Sequence, residues 1–214
     1  MTPDQRRARF SAVHLYLVAP LTAGGRDLVD VAEQAIAGGV DAIQLRDKTA
    51  SDDELIAGLR ALRPLCSTTG TLLIVNDRPD LAVAGDADGV HVGQDDLAVP
   101  AARAIVGEDR LIGLSTHSPE QVDAAIAAGA DHIGVGPINT TPTKQGVAAV
   151  GTDLVRYAAT RPLPFVAIGG IDRSNVTAPL DAGARRVAVV RAIVDAVDPR
   201  AAAAELRAAV DAHR

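Results

Sequence analysis

The chain has few aromatic residues and almost no cysteine. Of its 214 residues, two are Phe, two are Tyr, none is Trp and only Cys66 is a cysteine. A single cysteine cannot form an intrachain disulfide, and its place near the end of a predicted helix favours a buried thiol over a nucleophile. This composition is consistent with a reducing compartment, and we expect a cytoplasmic protein.

The chain also has no excess of positive charge, since its formal net charge is -6 at pH 7. Without a basic surface, and with so few aromatic rings for base stacking, we expect no nucleic-acid partner. A phosphorylated ligand would have to be held by a few local cations or by a divalent metal ion, because the overall field repels anions.

Long hydrophobic runs are absent as well. The apolar run Leu15 to Ala19 is too short for the core of a signal peptide, and no segment approaches the length that crosses a bilayer. We therefore expect no membrane association. The first ten residues are predicted to form a loose tail and residues 11–214 a single catalytic domain, because no linker or charge block divides them.

A weak repeat organises the rest of the chain. Segments starting at residues 37, 84, 127 and 181 each contain a glycine of the type that ends a helix, followed by a Val/Ile-rich run. Such apolar runs suit strands buried on both faces. Eight strands are predicted: His14 to Ala19, Ala42 to Leu45, Leu72 to Asn76, Gly89 to Val92, Leu111 to Ser115, His132 to Gly136, Phe165 to Ile168 and Val187 to Val190.

Helix-start signals lie between these strands. They include Ser51 with Glu54, which has the spacing of a capping box, and Ser174; a last helix is predicted from Pro199 to His213. Eight strand-then-helix units in one domain favour a (β/α)8 TIM barrel, with an open doubly wound sheet as the alternative. The dinucleotide-binding and P-loop glycine motifs are missing, and Gly-Leu-Ser-Thr-His at 113–117 lacks the second glycine of a hydrolase nucleophile elbow.

Two aspartates follow neighbouring predicted strands. Asp77 and Asp96 would therefore meet at the barrel mouth, where the C-terminal ends of parallel strands converge. Two carboxylates with waters and substrate phosphates are the ligands that Mg²⁺ commonly takes. The alternative for Asp77 is the N-cap of the following helix.

Positive side chains follow the second predicted strand. Gln44, Arg46 and Lys48 alternate along it, so in extended geometry they point to one side and can bind phosphate oxygens. The alternative is an exposed strand end in which these cations pair with Asp47 or Asp52.

A long connection and a glycine pair add further candidates. The connection from 137 to 151 carries Thr141, Thr143 and Lys144, and long loops of this kind are usually lids or ligand clamps, although an idle polar loop is the alternative. Gly169-Gly170 and Val190-Arg191 lie where many barrels bind phosphate, although the glycines also suit a simple turn.

Six groups of residues follow in order, one to a strand: Gln-Leu-Arg-Asp-Lys (44–48), Asn-Asp-Arg (76–78), Val-Gly-Gln-Asp-Asp (92–96), Gly-Leu-Ser (113–115), Gly-Pro (136–137) with Thr-Pro-Thr-Lys (141–144), and Gly-Gly-Ile (169–171). Together they resemble the thiamine phosphate synthase family over nearly the whole chain. The resemblance implies a TIM-barrel transferase with Mg²⁺ as its cofactor. Its substrates would be 4-amino-2-methyl-5-(diphosphooxymethyl)pyrimidine and 4-methyl-5-(2-phosphoethyl)thiazole, joined by ionisation of the pyrimidine diphosphate with release of diphosphate.

The resemblance also implies roles for individual residues. The pyrimidine diphosphate would be bound by Gln44, Leu45, Arg46, Asp47, Lys48, Asn76, Ser115 and Lys144. Mg²⁺ would be bound by Asp77 and Asp96, and the thiazole phosphate by Thr141, Thr143, Gly170, Val190 and Arg191. Arg46, Lys48 and Lys144 would stabilise the departing diphosphate. The family often has Ser where this chain has Arg191, so the side-chain contact there differs.

Two other functions fit parts of this pattern. A thiazole tautomerase-like relative would share the barrel and the phosphate site, but it has no use for both Asp77 and Asp96. A non-catalytic sensor of phosphorylated ligands would need neither carboxylate. The Ala-rich outer helices allow a homo-oligomer without locating its interface.

Overall fold

A computed structural model gives the fold, and it describes residues 2–23, 25–141 and 148–213. The strands in these residues are β1 (Leu15–Ala19), β2 (Thr22–Ala23), β3 (Arg26–Asp27), β4 (Ala42–Leu45), β5 (Leu72–Asn76), β6 (Gly89–Val92), β7 (Leu111–Thr116), β8 (His132–Val135), β9 (Phe165–Ile168) and β10 (Val187–Val189). Strands β2 and β3 form a short antiparallel hairpin. The other eight close into a barrel in the order β1-β10-β9-β8-β7-β6-β5-β4, with neighbours parallel.

The helices of the described residues lie between and around these strands. They are α1 (Pro3–Ser11), α2 (Leu28–Ala37), α3 (Asp52–Thr69), α4 (Pro79–Ala84), α5 (Val99–Val106), α6 (Pro119–Ala127), α7 (Asp153–Ala159), α8 (Thr177–Asp181), α9 (Arg191–Val194) and α10 (Pro199–Asp211). The predicted TIM barrel is confirmed. All eight predicted barrel strands are present, with ends within one residue of those expected. None of the described helices is long and apolar enough to cross a membrane.

Residues 3–10, part of the segment expected to form a loose tail, instead belong to helix α1. Thr2 caps this helix, and Gln5 completes the capping box by accepting a hydrogen bond from the Thr2 backbone N–H. Phe10 is buried and stacks on the His132 ring with the ring centroids 3.9 Å apart. Burial of this ring inside the N-terminal end of the barrel, which we call the floor, orders the segment.

Three aspartates of the sequence repeat hold the strands at the floor. Asp41 accepts from the backbone N–H groups of His14 and Leu15, Asp88 from Leu73 and Asp131 from Ile112, at 2.8–3.2 Å. Each of these floor aspartates also pairs with arginine: Asp41 with Arg207, Asp88 with Arg6 and Arg63, and Asp131 with Arg7 and Arg103. The repeat therefore stabilises the fold and lies at the end opposite the polar strand ends.

One helix begins later than its sequence signal suggested. Ser174 does not cap α8; its N–H and hydroxyl donate to Asp172 at 2.8 and 2.6 Å. The Asn175 side-chain oxygen accepts from the Asp172 N–H, and its amide donates to the Gly170 carbonyl at 2.8 Å. These local bonds compete with helix formation, so α8 begins at Thr177.

Candidate active site

A cavity of about 860 Å³ opens where the barrel strands end. It is lined by the following predicted site residues: Gln44, Arg46, Lys48, Asn76, Asp77, Asp96, Ser115, Thr141, Gly170, Val190 and Arg191. The opening is thus formed by residues of three strands, β4, β5 and β7, and by residues of the segments that follow β4, β5, β6, β8, β9 and β10. This convergence follows from the parallel closure of the barrel, since every strand ends at the same face.

The other predicted site residues are not described at this cavity. Leu45 is fully buried in the hydrophobic core. Asp47 accepts hydrogen bonds from the Thr49 hydroxyl at 2.8 Å and from the Leu21 N–H at 3.3 Å, and the Thr49 bonds lower the pKa of its carboxyl. Thr143 and Lys144 lie outside the described residues.

Asp77 and Asp96 form the acidic part of the site. Burial is the largest cause that raises the pKa of the Asp77 carboxyl, followed by a hydrogen bond with Asp96 and repulsion from that neighbour's charge. Asp96 is itself fixed, because its Oδ2 accepts from the Gly93 N–H at 2.7 Å. Asp96 rather than Asp95 contacts Asp77. Two neighbouring carboxylates repel each other because both are negative when ionised, and a divalent cation bound between them relieves that repulsion.

The backbone at Asp77 adopts a conformation that is unusual for a residue with a side chain. Its φ is +62°, and its N–H donates to the His91 carbonyl at 2.8 Å. The Arg78 N–H donates to the Asn76 carbonyl at 2.8 Å, which closes a tight turn around Asp77. Asp77 does not cap α4, where Arg78 is the N-cap residue and makes no side-chain cap bond. Left-handed backbone of this kind is often found at functional sites.

Cations lie beside the acidic pair. The Lys48 ammonium is 3.5 Å from Asp77 Oδ2, and both Lys48 and Arg46 act to lower the Asp77 pKa against the larger effect of burial. Asp52 is bound instead by Arg78, at 2.7 Å through Nη2. The alternative in which Asp52 neutralises Arg46 or Lys48 is therefore not seen.

Ser115 is held from two sides. The Gln94 amide donates to its backbone carbonyl at 2.6 Å, and its hydroxyl lies 3.1 Å from His91 Nε2. Deeper in the cavity, the Gln44 amide donates to the Tyr16 hydroxyl at 2.9 Å, and burial raises the pKa of Tyr16 far above its usual range. The interior of the cavity thus contains a few buried polar groups that are fixed by hydrogen bonds.

The glycine pair after β9 is required by both backbone conformation and space. Gly169 and Gly170 have φ values of +105° and +63°. A side chain at Gly170 would meet Asn139 Cβ at 2.8 Å and the Thr140 carbonyl at 2.9 Å. The Asn139 amide also donates to the Gly170 carbonyl at 3.1 Å. This glycine therefore lies tightly against the start of the long connection.

Val190 and Arg191 complete the opposite wall. Val190 is the N-cap of the short helix α9, whose first residue is the exposed Arg191. Both residues line the cavity. The arginine that replaces the serine frequent in the resembled family thus has access to a ligand at the mouth.

Sequence reasoning missed several residues of this cavity. Tyr16 lies inside a strand that reads only as apolar, and no local pattern pairs it with Gln44. Gln94 follows β6 and has no role predicted from the sequence, and the structure shows that its amide fixes Ser115. His117 was considered only for hydrolase chemistry; its Nδ1–H donates to the Gly136 carbonyl, beside the start of the long connection.

Similarity to known proteins agrees with this geometry. A sequence profile of the family described as thiamine monophosphate synthase matches residues 15–193. A thiamine-phosphate synthase of Thermosynechococcus vestitus is 48% identical over 208 residues, which cover 96% of this chain and 58% of that protein. Another from Saccharopolyspora erythraea is 49% identical over 210 residues, with 94% of each chain covered.

A solved structure has the same fold. Thiamine phosphate pyrophosphorylase from Pyrococcus furiosus superposes with a TM-score of 0.88 at 32% identity, covering 97% of this chain and 98% of that one. The chain spans only 58% of the length of the Thermosynechococcus relative, although it spans nearly all of the Saccharopolyspora one. The profile match and these identities show that the chain belongs to the thiamine monophosphate synthase family.

Proposed function

We propose that the protein joins 4-amino-2-methyl-5-(diphosphooxymethyl)pyrimidine to 4-methyl-5-(2-phosphoethyl)thiazole, giving thiamine phosphate and diphosphate. The observation that carries the proposal is the grouping of Asp77, Asp96 and Lys48 at one side of the cavity mouth. A pair of carboxylates beside an ammonium suits a ligand that arrives as a polyanion with a divalent cation. Membership of the thiamine monophosphate synthase family supports the choice of these two organic halves.

The chemistry that this site suits is an ionisation. The bond between the pyrimidine methylene and the diphosphate oxygen breaks, diphosphate leaves with the electron pair, and the thiazole nitrogen then attacks the methylene cation. Such a reaction needs no protein nucleophile; it needs positioning of the two halves and stabilisation of the departing charge. Arg46 and Lys48, which line the cavity beside Asp77, would supply that stabilisation, and Lys144 is assigned to it from the family resemblance alone.

Asp77 and Asp96 would hold Mg²⁺. Their hard oxygen donors and the raised pKa of Asp77 fit a cation at this position. No cluster of three or more His, Cys, Asp or Glu side chains that could hold a metal is found in residues 2–23, 25–141 and 148–213. The remaining ligands would then come from water and the diphosphate, as is common for Mg²⁺. When bound, the ion would neutralise developing charge on the leaving group.

The remaining ligand contacts follow from the walls of the cavity. Gln44, Asn76 and Ser115 would bind the pyrimidine half in the interior. Thr141, Gly170, Val190 and Arg191 would bind the phosphate of the thiazole half at the opposite wall, together with Thr143. Leu45 and Asp47 would contribute only through their backbone or by shaping the loop after β4, since their side chains are engaged elsewhere.

Assay of both halves with the purified protein tests the proposal. With Mg²⁺ present, we expect thiamine phosphate and diphosphate in equal amounts; chelation with EDTA should abolish both. The variants Asp77→Ala and Lys144→Ala should lower kcat by about 10² to 10³, the scale of losing one preorganised electrostatic group. Undiminished product formation after complete removal of divalent ions would contradict the metal assignment.

The same assay separates the rival functions. A tautomerase would convert a thiazole substrate without releasing diphosphate, and a sensor would bind phosphorylated ligands in calorimetry without turnover.

A cytoplasmic location and a homo-oligomer are also part of the proposal. Size-exclusion chromatography with light scattering measures the oligomeric state directly.

A further inference from the structure

Two histidines lie side by side inside the barrel, below the proposed site. His91 of β6 and His132 of β8 are both aligned with Gly113 of β7, which lies between them. A side chain at Gly113 would collide with both imidazole rings. Because glycine has no side chain, Gly113 leaves the space in which the two imidazole rings lie next to each other.

The rings connect the barrel floor to Ser115. His132 Nε2 lies 3.4 Å from His91 Nδ1, and His91 Nε2 lies 3.1 Å from the Ser115 hydroxyl. At the other end, His132 is buried against Phe10. Burial lowers the pKa of His132 well below its usual value, and the nearby charges of His91 and Arg186 act in the same direction. His132 is therefore neutral, with one N–H and one bare nitrogen.

The proton on His132 can be assigned from its surroundings. Its Nδ1 is buried and has no hydrogen-bond partner within the described parts of the chain. If Nδ1 carried the proton, a buried donor would be left unpaired, which is rarer than an unpaired acceptor. The proton therefore belongs on Nε2 and is donated to His91 Nδ1. His91 must then carry its own proton on Nε2, from which it donates to the Ser115 oxygen.

In this arrangement of hydrogen bonds, the hydroxyl proton of Ser115 is available for a hydrogen bond to a ligand. Because the serine oxygen accepts from His91, its own O–H must point to another acceptor, and Ser115 lines the cavity. We propose that His132 and His91 are positioning residues that fix the Ser115 hydroxyl as a hydrogen-bond donor to the bound pyrimidine diphosphate. The ligand named here rests on the proposed function; the proton arrangement does not.

Nitrogen-15 NMR of the imidazole rings tests the proton arrangement without any substrate. The chain has five histidines, so His91 and His132 can be assigned from single substitutions. At a pH above the usual histidine range, both rings should show the pattern of a neutral ring protonated at Nε2. A proton on Nδ1 of either ring would overturn the inference, because the Ser115 hydroxyl would no longer be directed to the ligand.

Matched substitutions test the role in turnover. His132→Gln keeps an N–H donor at about the position of Nε2, whereas His132→Met has a similar length and no donor. We expect His132→Met to lower kcat roughly fivefold, the scale of one neutral hydrogen bond, and His132→Gln to restore most of that loss. Thermal unfolding of both variants, measured in parallel, reports any general loss of packing.

A double-mutant cycle shows whether His132 acts through Ser115. In a Ser115→Ala background, His132→Met should change kcat less than about twofold, because the hydroxyl it orients is gone. An equal fold loss in both backgrounds would mean a purely structural role and would overturn the inference. If the wild-type chain forms no thiamine phosphate, the proposed function fails, and the NMR result still decides the proton arrangement.

Discussion

Asp77 has two features, its backbone angle φ and the environment of its carboxyl group, that lower the stability of the ligand-free fold. The residue combines a left-handed φ with a carboxyl whose ionised form is disfavoured by burial and by Asp96. Both features oppose folding of the ligand-free protein. Two destabilising features at one residue of the cavity mouth indicate selection for ligand binding rather than for stability.

Replacing this residue with glycine should stabilise the ligand-free fold. We expect Asp77→Gly to raise the free energy of unfolding by about 1 kcal/mol in EDTA, since glycine tolerates the positive φ, offset in part by its larger unfolded-state entropy. Because folding raises the Asp77 pKa, the wild type loses stability as pH rises through that pKa. The gain in the variant should therefore be larger at neutral pH than in acid, as urea unfolding at both pH values can measure.

Asp86 provides the matched control for this substitution. It has a φ of +53°, lies between α4 and β6, and is exposed. Asp86→Gly should give a smaller stability gain with little dependence on pH and no loss of turnover. If Asp77→Gly instead destabilised the protein relative to wild type, the strain at Asp77 would be refuted.

Arg191 is expected to act on one substrate only. Arg191→Ala should raise the KM for the thiazole phosphate roughly tenfold, because a charge-assisted hydrogen bond to the phosphate is lost, and leave kcat nearly unchanged. Steady-state kinetics with each substrate varied in turn measures this. Arg156→Ala, on the exposed face of α7, is the control. An unaltered KM would exclude Arg191 from the phosphate contact.

At the level of elements, helix α1 closes the floor of the barrel. Phe10 is its one buried residue, and Arg6 and Arg7 pair with the floor aspartates Asp88 and Asp131. The helix is short and mostly polar, so packing of the aromatic ring provides most of its docking energy.

Truncation of this ring tests the docking. Phe10→Ala should lower the free energy of unfolding by about 3 to 5 kcal/mol, the usual cost of removing a buried aromatic side chain. Chemical denaturation measures the change. Val197→Ala, at a fully exposed apolar residue, should change nothing. A Phe10→Ala variant as stable as the wild type would fit a loose tail instead.

The elements differ in how well their sequences predicted them. The barrel strands were predicted because Val and Ile runs buried on both faces have a simple signature. Helix α1 has no apolar periodicity, and its Thr2-Gln5 capping box was overlooked. The start of α8 depends on Asn175 turning back to Gly170, a contact that only the folded chain supplies.

Across the whole molecule, the two ends of the barrel have different tasks. Acidic residues at the floor each have an arginine and backbone donors, whereas Asp77 at the mouth has a close carboxylate and one weakly held lysine. The sequence predicted that Asp77 and Asp96 lie close together, because the C-terminal ends of neighbouring parallel strands always meet at the same face of a barrel. The pairing of His91 with His132 depends on their common alignment with Gly113, which strand order alone does not give.

Asp41 tests this division. Asp41→Ala should lower the free energy of unfolding by about 2 to 4 kcal/mol, because the N–H groups of His14 and Leu15 lose their acceptor at a buried position. Turnover per folded molecule should stay unchanged. Glu33→Ala, an exposed acidic residue on α2, is the control. A selective loss of kcat without a loss of stability would contradict the division.

The aromatic plug formed by Phe10 beneath His132 has a kinetic consequence. With Phe10 closing the lower end, the cavity of the described residues opens at the strand ends, so both substrates would enter and both products would leave on that side. The substrate that occupies the innermost part of the cavity must therefore bind before the substrate nearer the opening. This order of binding is imposed by the shape of the enclosure and needs no moving gate.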